Sequence, residues 1–191
     1  MARLVSEAEP LSVEQRRRGR PADAYGALVR TIVGQQLSTK AARAIYARVS
    51  ALFGDSAPEP GEILTADEEA LRAAGLSRPK ITYLRDLAGR VVDGELDLDS
   101  LDDLPDEEVI DRITSVKGLG PWSAHMFLIF HLGRPDVLPV GDLGIRRAVE
   151  RAYGLDELPA AETLEAVAAP WRPHRTLACL YLWESLDNNP E

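Results

Sequence analysis

The chain has 191 residues, 45% of them apolar and 28% charged, with a single cysteine and a formal net charge of −9. That composition suits a globular domain able to bury a core. It excludes an internal disulfide and a four-cysteine zinc or iron–sulfur site, and no apolar run approaches a membrane span.

The N-terminal stretch carries no apolar run, so no signal peptide is read and a cytoplasmic protein is expected. Arg16-Arg17-Arg18-Gly19-Arg20 reads as a solvated helix end or tail, with a phosphate-binding arm as the alternative. From Asp23 to Val33, the spacing of Leu28, Val29, Ile32 and Val33 predicts a helix. Ser38 is a candidate N-cap for a second helix, with Ala41, Ala42, Ile45, Val49 and Leu52 on one face. Gly54 to Gly61 reads as a Pro/Gly-rich loop. Residues 66–73 form a short helix stopped by Gly75. Pro79 starts the next, whose stripe is Ile81, Leu84, Leu87, Ala88, Val91 and Val92, and Asp93-Gly94 ends it.

Asp93 to Asp111 is acid-rich and is expected to be a solvated face. Leu104-Pro105-Asp106 opens a helix bearing Val109, Ile110 and Ile113. A further helix carries Ala124, Phe127, Leu128 and His131. Between the two, Thr114 to Ala124 reads as a tight hairpin. Gly118 and Gly120 permit positive φ and close approach there, and Pro121 suits a first helical turn. Such a turn presents backbone N–H groups and a helix N-terminus, a site for an anion such as a phosphodiester. After Asp142 a helix runs to about Tyr153, another spans 160–168, and the last runs from Pro173 to Leu186. Val137-Leu138-Pro139-Val140 is too short for a strand and is broken by proline. The fold class is all-α.

Four segments together carry a resemblance: the hairpin, Pro139-Val140-Gly141-Asp142-Leu143-Gly144-Ile145-Arg146-Arg147, Gly34-Gln35-Gln36-Leu37-Ser38, and Trp171-Arg172-Pro173-x-Arg175. The chain resembles the helix-hairpin-helix (HhH-GPD) superfamily of DNA glycosylases over roughly Tyr25 to Trp183. It is most similar to the alkylpurine branch, the AlkA type of 3-methyladenine DNA glycosylase II. The resemblance implies one domain over 1–191 made of two helical lobes with a DNA-binding cleft between them, and no N-terminal β domain. One lobe would span 35–140, with the hairpin at 116–120, and the other 1–34 plus 141–191. It implies a monomer acting on double-stranded DNA that contains damaged bases.

The implied activity is hydrolytic excision of N-alkylated purines such as 3-methyladenine and 7-methylguanine. The alternatives are a glycosylase for deaminated or oxidised purines, and a noncatalytic helix-hairpin-helix DNA-binding module. Asp142 matches the catalytic Asp. Its carboxylate would stabilise an oxocarbenium-like sugar and orient the attacking water; a plain N-cap is the bland reading. The lyase branch carries a lysine two residues past the second hairpin glycine, where this chain has Trp122, so no strand cleavage is expected.

Gln36 or Leu37 would prop the duplex when the base is extruded, unless Leu37 only packs under the helix start. Trp122 and Trp183 would hold the extruded base by cation–π contact, or belong to the core. Met126, His125 and Leu143 would border that pocket, Met126 and Leu143 standing where the family has aromatics. Lys117, Gly118, Leu119, Gly120 and Ser123 would meet DNA phosphate. Arg175 would do the same or form a salt bridge. His131 and Cys179 are expected in the core. No catalytic cofactor is expected. The carbonyls of Thr114, Val116 and Leu119 match a structural Na⁺ or K⁺ site. The net charge opposes DNA binding, but Arg146, Arg147, Arg151, Arg172 and Arg175 gather near the motifs, so a polarised surface is expected.

Overall fold

A computed structural model describes residues 1, 5, 6 and 8–187. Every regular element among them is a helix. In chain order these are α1 (Val13–Arg17), α2 (Ala24–Gly34), α3 (Thr39–Ala51), α4 (Pro60–Thr65), α5 (Glu68–Ala73) and α6 (Arg78–Val92). After a 3₁₀ turn (Asp99–Asp103) come α7 (Asp106–Thr114) and α8 (Pro121–Phe127), then a π-helical turn (Leu128–Leu132). The chain closes with α9 (Leu143–Tyr153), α10 (Ala161–Ala168), a 3₁₀ turn (Ala169–Trp171) and α11 (Arg175–Asp187). None is long and apolar enough to cross a membrane.

The chain divides into two units, one of residues Gly19–Phe127 and one of the residues up to Arg18 with those from Leu128 onward. In the first, α2 presents Leu28, Val29, Ile32 and Val33, all with no exposed surface. Asp23 caps it by accepting the Gly26 N–H at 2.6 Å. The α6 stripe of Ile81, Leu84, Leu87 and Ala88 is buried, and the helix packs on α2, α4 and α5. A capping oxygen contributes about 1 kcal/mol by satisfying an orphan N–H. Ser38, Asp67 and Ser77 each supply one, to α3, α5 and α6.

The expected Pro/Gly loop turned out to contain the start of α4. Pro60 sits in its first turn, and Glu59 and Glu62 cap each other reciprocally. The apolar stripes end sooner than the spacing suggested: Leu52 and Val92 are 45% and 57% exposed, at the last turns of α3 and α6. The expected division at residues 34/35 and 140/141 is displaced. Residues 19–34 join the first unit because α2 has its packing partners in α3, α6 and α8. Residues 128–140 join the second because hydrogen bonds from α11 hold them, as described below.

In the second unit, Ile145 and Val149 of α9 pack with Leu164, Ala168, Trp171, Cys179 and Leu182. Gly154, at φ +64°, ends α9 in the left-handed conformation that favours glycine. Arg16 of α1 pairs with Glu184 of α11, so this part of the basic N-terminal stretch is a packed helix end. The helix that was to run through His131 is α-helical only to Phe127. It widens into the π turn beyond, with His131 half-buried rather than deep in the core.

Candidate active site

The site grows from one face of α11. Thr176, Cys179 and Trp183 recur at helical spacing, and all three meet the segment Arg134–Asp142 that leads into α9. The Thr176 hydroxyl donates to the Arg134 carbonyl at 2.7 Å and accepts the Val137 N–H at 3.0 Å. The Thr176 N–H donates to the Pro135 carbonyl at 3.1 Å. Cys179, fully buried, lies under the Val137 carbonyl. At the far end, Asp142 is only 9% exposed. Its Oδ1 accepts the Ile145 N–H at 2.8 Å and the Trp183 Nε1–H at 3.1 Å. The segment thus runs along α11 with a side-chain tie at each end.

Asp136, six residues before Asp142, has a different fate. Arg175 grips it with Nε on Oδ1 at 2.7 Å and Nη2 on Oδ2 at 3.0 Å, while Arg172 Nη1 reaches Oδ2 at 2.9 Å. Burial pushes the Asp136 carboxyl up, but the Arg175 hydrogen bonds and the two guanidinium charges outweigh it, holding it below the usual carboxylate range. Cys179 moves the other way: burial first, then the Asp142 charge, raise its thiol to about 12. It stays neutral and is a core thiol, as expected.

Two residues that meet Trp183 were not singled out from sequence. Phe130 stacks on Trp183, centroids 5.9 Å apart and planes 28° from parallel. Gly144 has no positive φ to explain it, yet a Cβ there would lie 3.0 Å from Asp142 Oδ1 and 3.3 Å from Trp183 Cδ1. A glycine in a helix that needs no unusual backbone is the signal that marks such a close approach. Leu143 is 47% exposed, beside Asp142 in the chain.

The hairpin belongs to the other unit. Gly118 has φ +82°, and a Cβ would strike the ring of Tyr83 on α6. Gly120 needs neither freedom: its φ is not positive and a Cβ would meet nothing within 4 Å. The Leu119 N–H turns back to the Val116 carbonyl at 3.1 Å, and the Lys117 N–H is taken by Asp86 Oδ2 at 2.8 Å. The N–H groups of Gly118 and Gly120 have no acceptor among the described residues. Lys117 is exposed, so its ammonium rather than its N–H faces solvent.

Behind the hairpin lies the turn after α2. Lys80 Nζ donates to the Val33 and Gln35 carbonyls at 2.7 and 2.9 Å, closing orphan acceptors at the end of α2. Gln35 Nε2 reaches across to the Gly118 carbonyl at 2.8 Å. Gln36 caps the tip with φ +57°, and both it and Leu37, at 37%, are exposed. Leu37 is therefore not buried as a packing staple. None of these ties was visible in sequence, because each joins residues far apart in the chain.

Two expected phosphate contacts are corrected. Ser123 is only 3% exposed, on the inner face of α8 with Ala124 and Phe127, so its hydroxyl does not face solvent. The Arg175 fork is consumed by Asp136, which settles the open choice as a salt bridge. Elsewhere on α8, Trp122 is 42% exposed while His125 and Met126 are half-buried. Burial lowers the His125 imidazole, with Asp106 opposing. The structure joins Trp183 to Asp142 and places Trp122, His125 and Met126 together on α8. For a hard monovalent cation the proposed donors fit chemically: the Thr114 and Leu119 carbonyls accept no hydrogen bond among the described residues, and Val116 accepts one. No cluster of His, Cys, Asp and Glu suited to a metal occurs among the described residues.

A model of the HhH-GPD superfamily base excision DNA repair proteins matches residues 29–173, and the chain belongs to that superfamily. The Bacillus subtilis protein named "Putative DNA-3-methyladenine glycosylase YfjP" is 31% identical over 169 residues, 85% of this chain; the chain spans 59% of that protein's length. Among solved structures, the Schizosaccharomyces pombe 3-methyladenine DNA glycosylase Mag1, in complex with abasic DNA, is 34% identical with a TM-score of 0.84. That match covers 97% of this chain and 89% of Mag1. A Bacillus halodurans DNA-3-methyladenine glycosidase is 38% identical with a TM-score of 0.81, covering 98% and 84%.

Proposed function

We propose that this protein is a monofunctional DNA glycosylase that hydrolyses the N-glycosidic bond of N-alkylated purines in duplex DNA, opening base-excision repair. The observation that carries this reading is the Asp142 carboxylate, held by N–H donors at the start of α9 in a chain whose relatives are named for this activity. As the glycosidic bond breaks, its electron pair leaves with the purine and C1′ becomes cationic. A fixed carboxylate stabilises that charge, and water then bonds to C1′ while its proton passes to the carboxylate or to solvent. A base methylated at N3 or N7 is already cationic and departs neutral, so no general acid is needed.

The binding roles follow from what each group offers. The Gly118 and Gly120 N–H groups, with the Lys117 ammonium, suit a phosphate, and a cation on the Thr114, Val116 and Leu119 carbonyls would add to that contact. Gln36 or Leu37, both exposed in a turn tied to the hairpin through Gln35, would serve as the wedge. Trp183 and Leu143, beside Asp142, are proposed to meet the base, with Trp122, Met126 and His125 on α8 proposed for the same role; an indole face favours cationic lesions. The test is release of free bases from duplexes carrying 3-methyladenine, 7-methylguanine or hypoxanthine, followed chromatographically. The methylated purines should appear faster than hypoxanthine. Faster hypoxanthine release overturns the specificity, and tight DNA binding with no release of any base overturns the enzyme.

A further inference from the structure

Trp183 does more than face a base. Its Nε1–H donates to Asp142 Oδ1 at 3.1 Å, one of its neighbours is the Phe130 ring, and Gly144 is the residue that leaves room for the bond. We propose that Trp183 and Gly144 are positioning residues for Asp142: the indole N–H and the Ile145 N–H hold Oδ1, fixing the plane of the carboxylate that meets the sugar. This role rests on the glycosylase reading and deepens it.

The physical argument is preorganisation. A carboxylate on a short side chain has a soft terminal torsion. The Ile145 N–H alone leaves the group able to turn about that one bond. A second donor from another helix, onto the same oxygen, removes the freedom. The indole is itself braced by Phe130 and by its place on α11 two turns past Thr176, which grips the start of the same segment. Gly144 completes the device. An added Cβ would stand 3.0 Å from Asp142 Oδ1, 3.3 Å from Trp183 Cδ1 and 3.4 Å from Nε1, so a side chain here requires the carboxylate or the indole to shift by a few tenths of an ångström. At this helical position alanine would be the better helix former. Glycine thus stands against local propensity at the place where the bond needs the space.

Two variants and two readouts test this. Trp183→Phe keeps an aromatic ring against Phe130 and removes the donor. Gly144→Ala keeps the donor and crowds it, while the melting temperature holds or rises. Both should slow single-turnover release of 7-methylguanine by about 10–100-fold, by analogy with the outer-shell groups that orient metal ligands. Affinity for a duplex bearing a stable abasic-site mimic should stay within about twofold, because the lost interaction acts on chemistry and not on binding. Independently of activity, the chain's three tryptophans give three indole N–H resonances, and Trp183→Phe identifies the relevant one. In Asp142→Ala that resonance should move upfield as its acceptor disappears.

An indole resonance unchanged by Asp142→Ala overturns the bond. An active wild type with an equally fast Trp183→Phe overturns the positioning role alone. A wild type that releases no methylated base overturns the glycosylase reading, and the role falls with it.

Discussion

The Asp142 segment and the glycine hairpin are both irregular stretches that end in a helix, and they solve opposite problems. The first buries a charged side chain and surrounds it with donors from α9 and α11. The second buries its apolar side chains, Val116 and Leu119, and leaves the backbone N–H groups of Gly118 and Gly120 without an acceptor among the described residues. On the proposed reading, one region fixes the reacting group and the other offers backbone donors to an anion without any net positive charge. A chain with net charge −9 can therefore hold a phosphate where a purely side-chain surface would need many lysines and arginines.

The sharpest way to break this contrast is Asp142→Asn. It keeps an oxygen to accept from Ile145 and Trp183 but removes the charge, so base release should fall by about 10³-fold or more with DNA affinity retained. Release near the wild-type rate in single-turnover assays would remove Asp142 from the chemistry. Gly118→Ala should do the reverse. It forces a Cβ into the Tyr83 ring at φ +82°, so both the melting temperature and affinity for undamaged duplex should drop, affinity by about tenfold. Gly120→Ala meets open space and serves as the matched control, with stability close to wild type. Equal thermal shifts for the two would contradict the assignment of Gly118 as the only strained glycine of the turn.

Arg175→Ala tests whether the start of the Asp142 segment is held by charge. Asp136 keeps Arg172 and the backbone N–H of residue 175, and loss of the fork should cost about 1–3 kcal/mol in denaturant unfolding, less than for a fully buried pair. The pH dependence has a defined sign. Because the folded Asp136 carboxyl lies below its usual value of about 3.9, its contribution is present above that pH and is lost as the pH falls through the lower folded value. The stability difference between wild type and Asp136→Asn should be full near neutrality and shrink on acidification below about pH 4. A difference that grows in acid would reverse the assignment. The smallest effect is expected from Gln35→Ala, which releases the turn bearing Gln36 from the Gly118 carbonyl and should weaken affinity for an abasic-mimic duplex by about two- to fivefold. An unchanged affinity would show that the hairpin and that turn act separately.

Much of the helical plan was legible because several helices announce themselves locally. Asp23, Ser38 and Asp142 stand as caps before periodic apolar faces, and Gly154 ends α9 where a left-handed residue is required. The α4 helix was missed although Pro60 and the Glu59–Glu62 pair are start signals, because the surrounding prolines and glycines read as a loop. Asp142 was legible as the cap of α9 and, through the motif around it, as the candidate reacting group. What surrounds Asp142 was not. Trp183 and Asp142 are 41 positions apart, and Arg175 and Asp136 are 39 apart; periodicity on one helix says nothing of which distant segment covers it. Ser123 failed for a related reason, since its place near the hairpin suggested solvent while the turn of α8 carries it inward.

The claim that matters most is that a water molecule, steered by Asp142, and not a protein amine displaces the base. A duplex with one 7-methylguanine, incubated with the protein and divided into samples with and without alkali, measures this directly. The account predicts intact strands until alkali is added, then cleavage at the lesion position. Breaks without alkali, or a protein–DNA adduct trapped by borohydride, would contradict it.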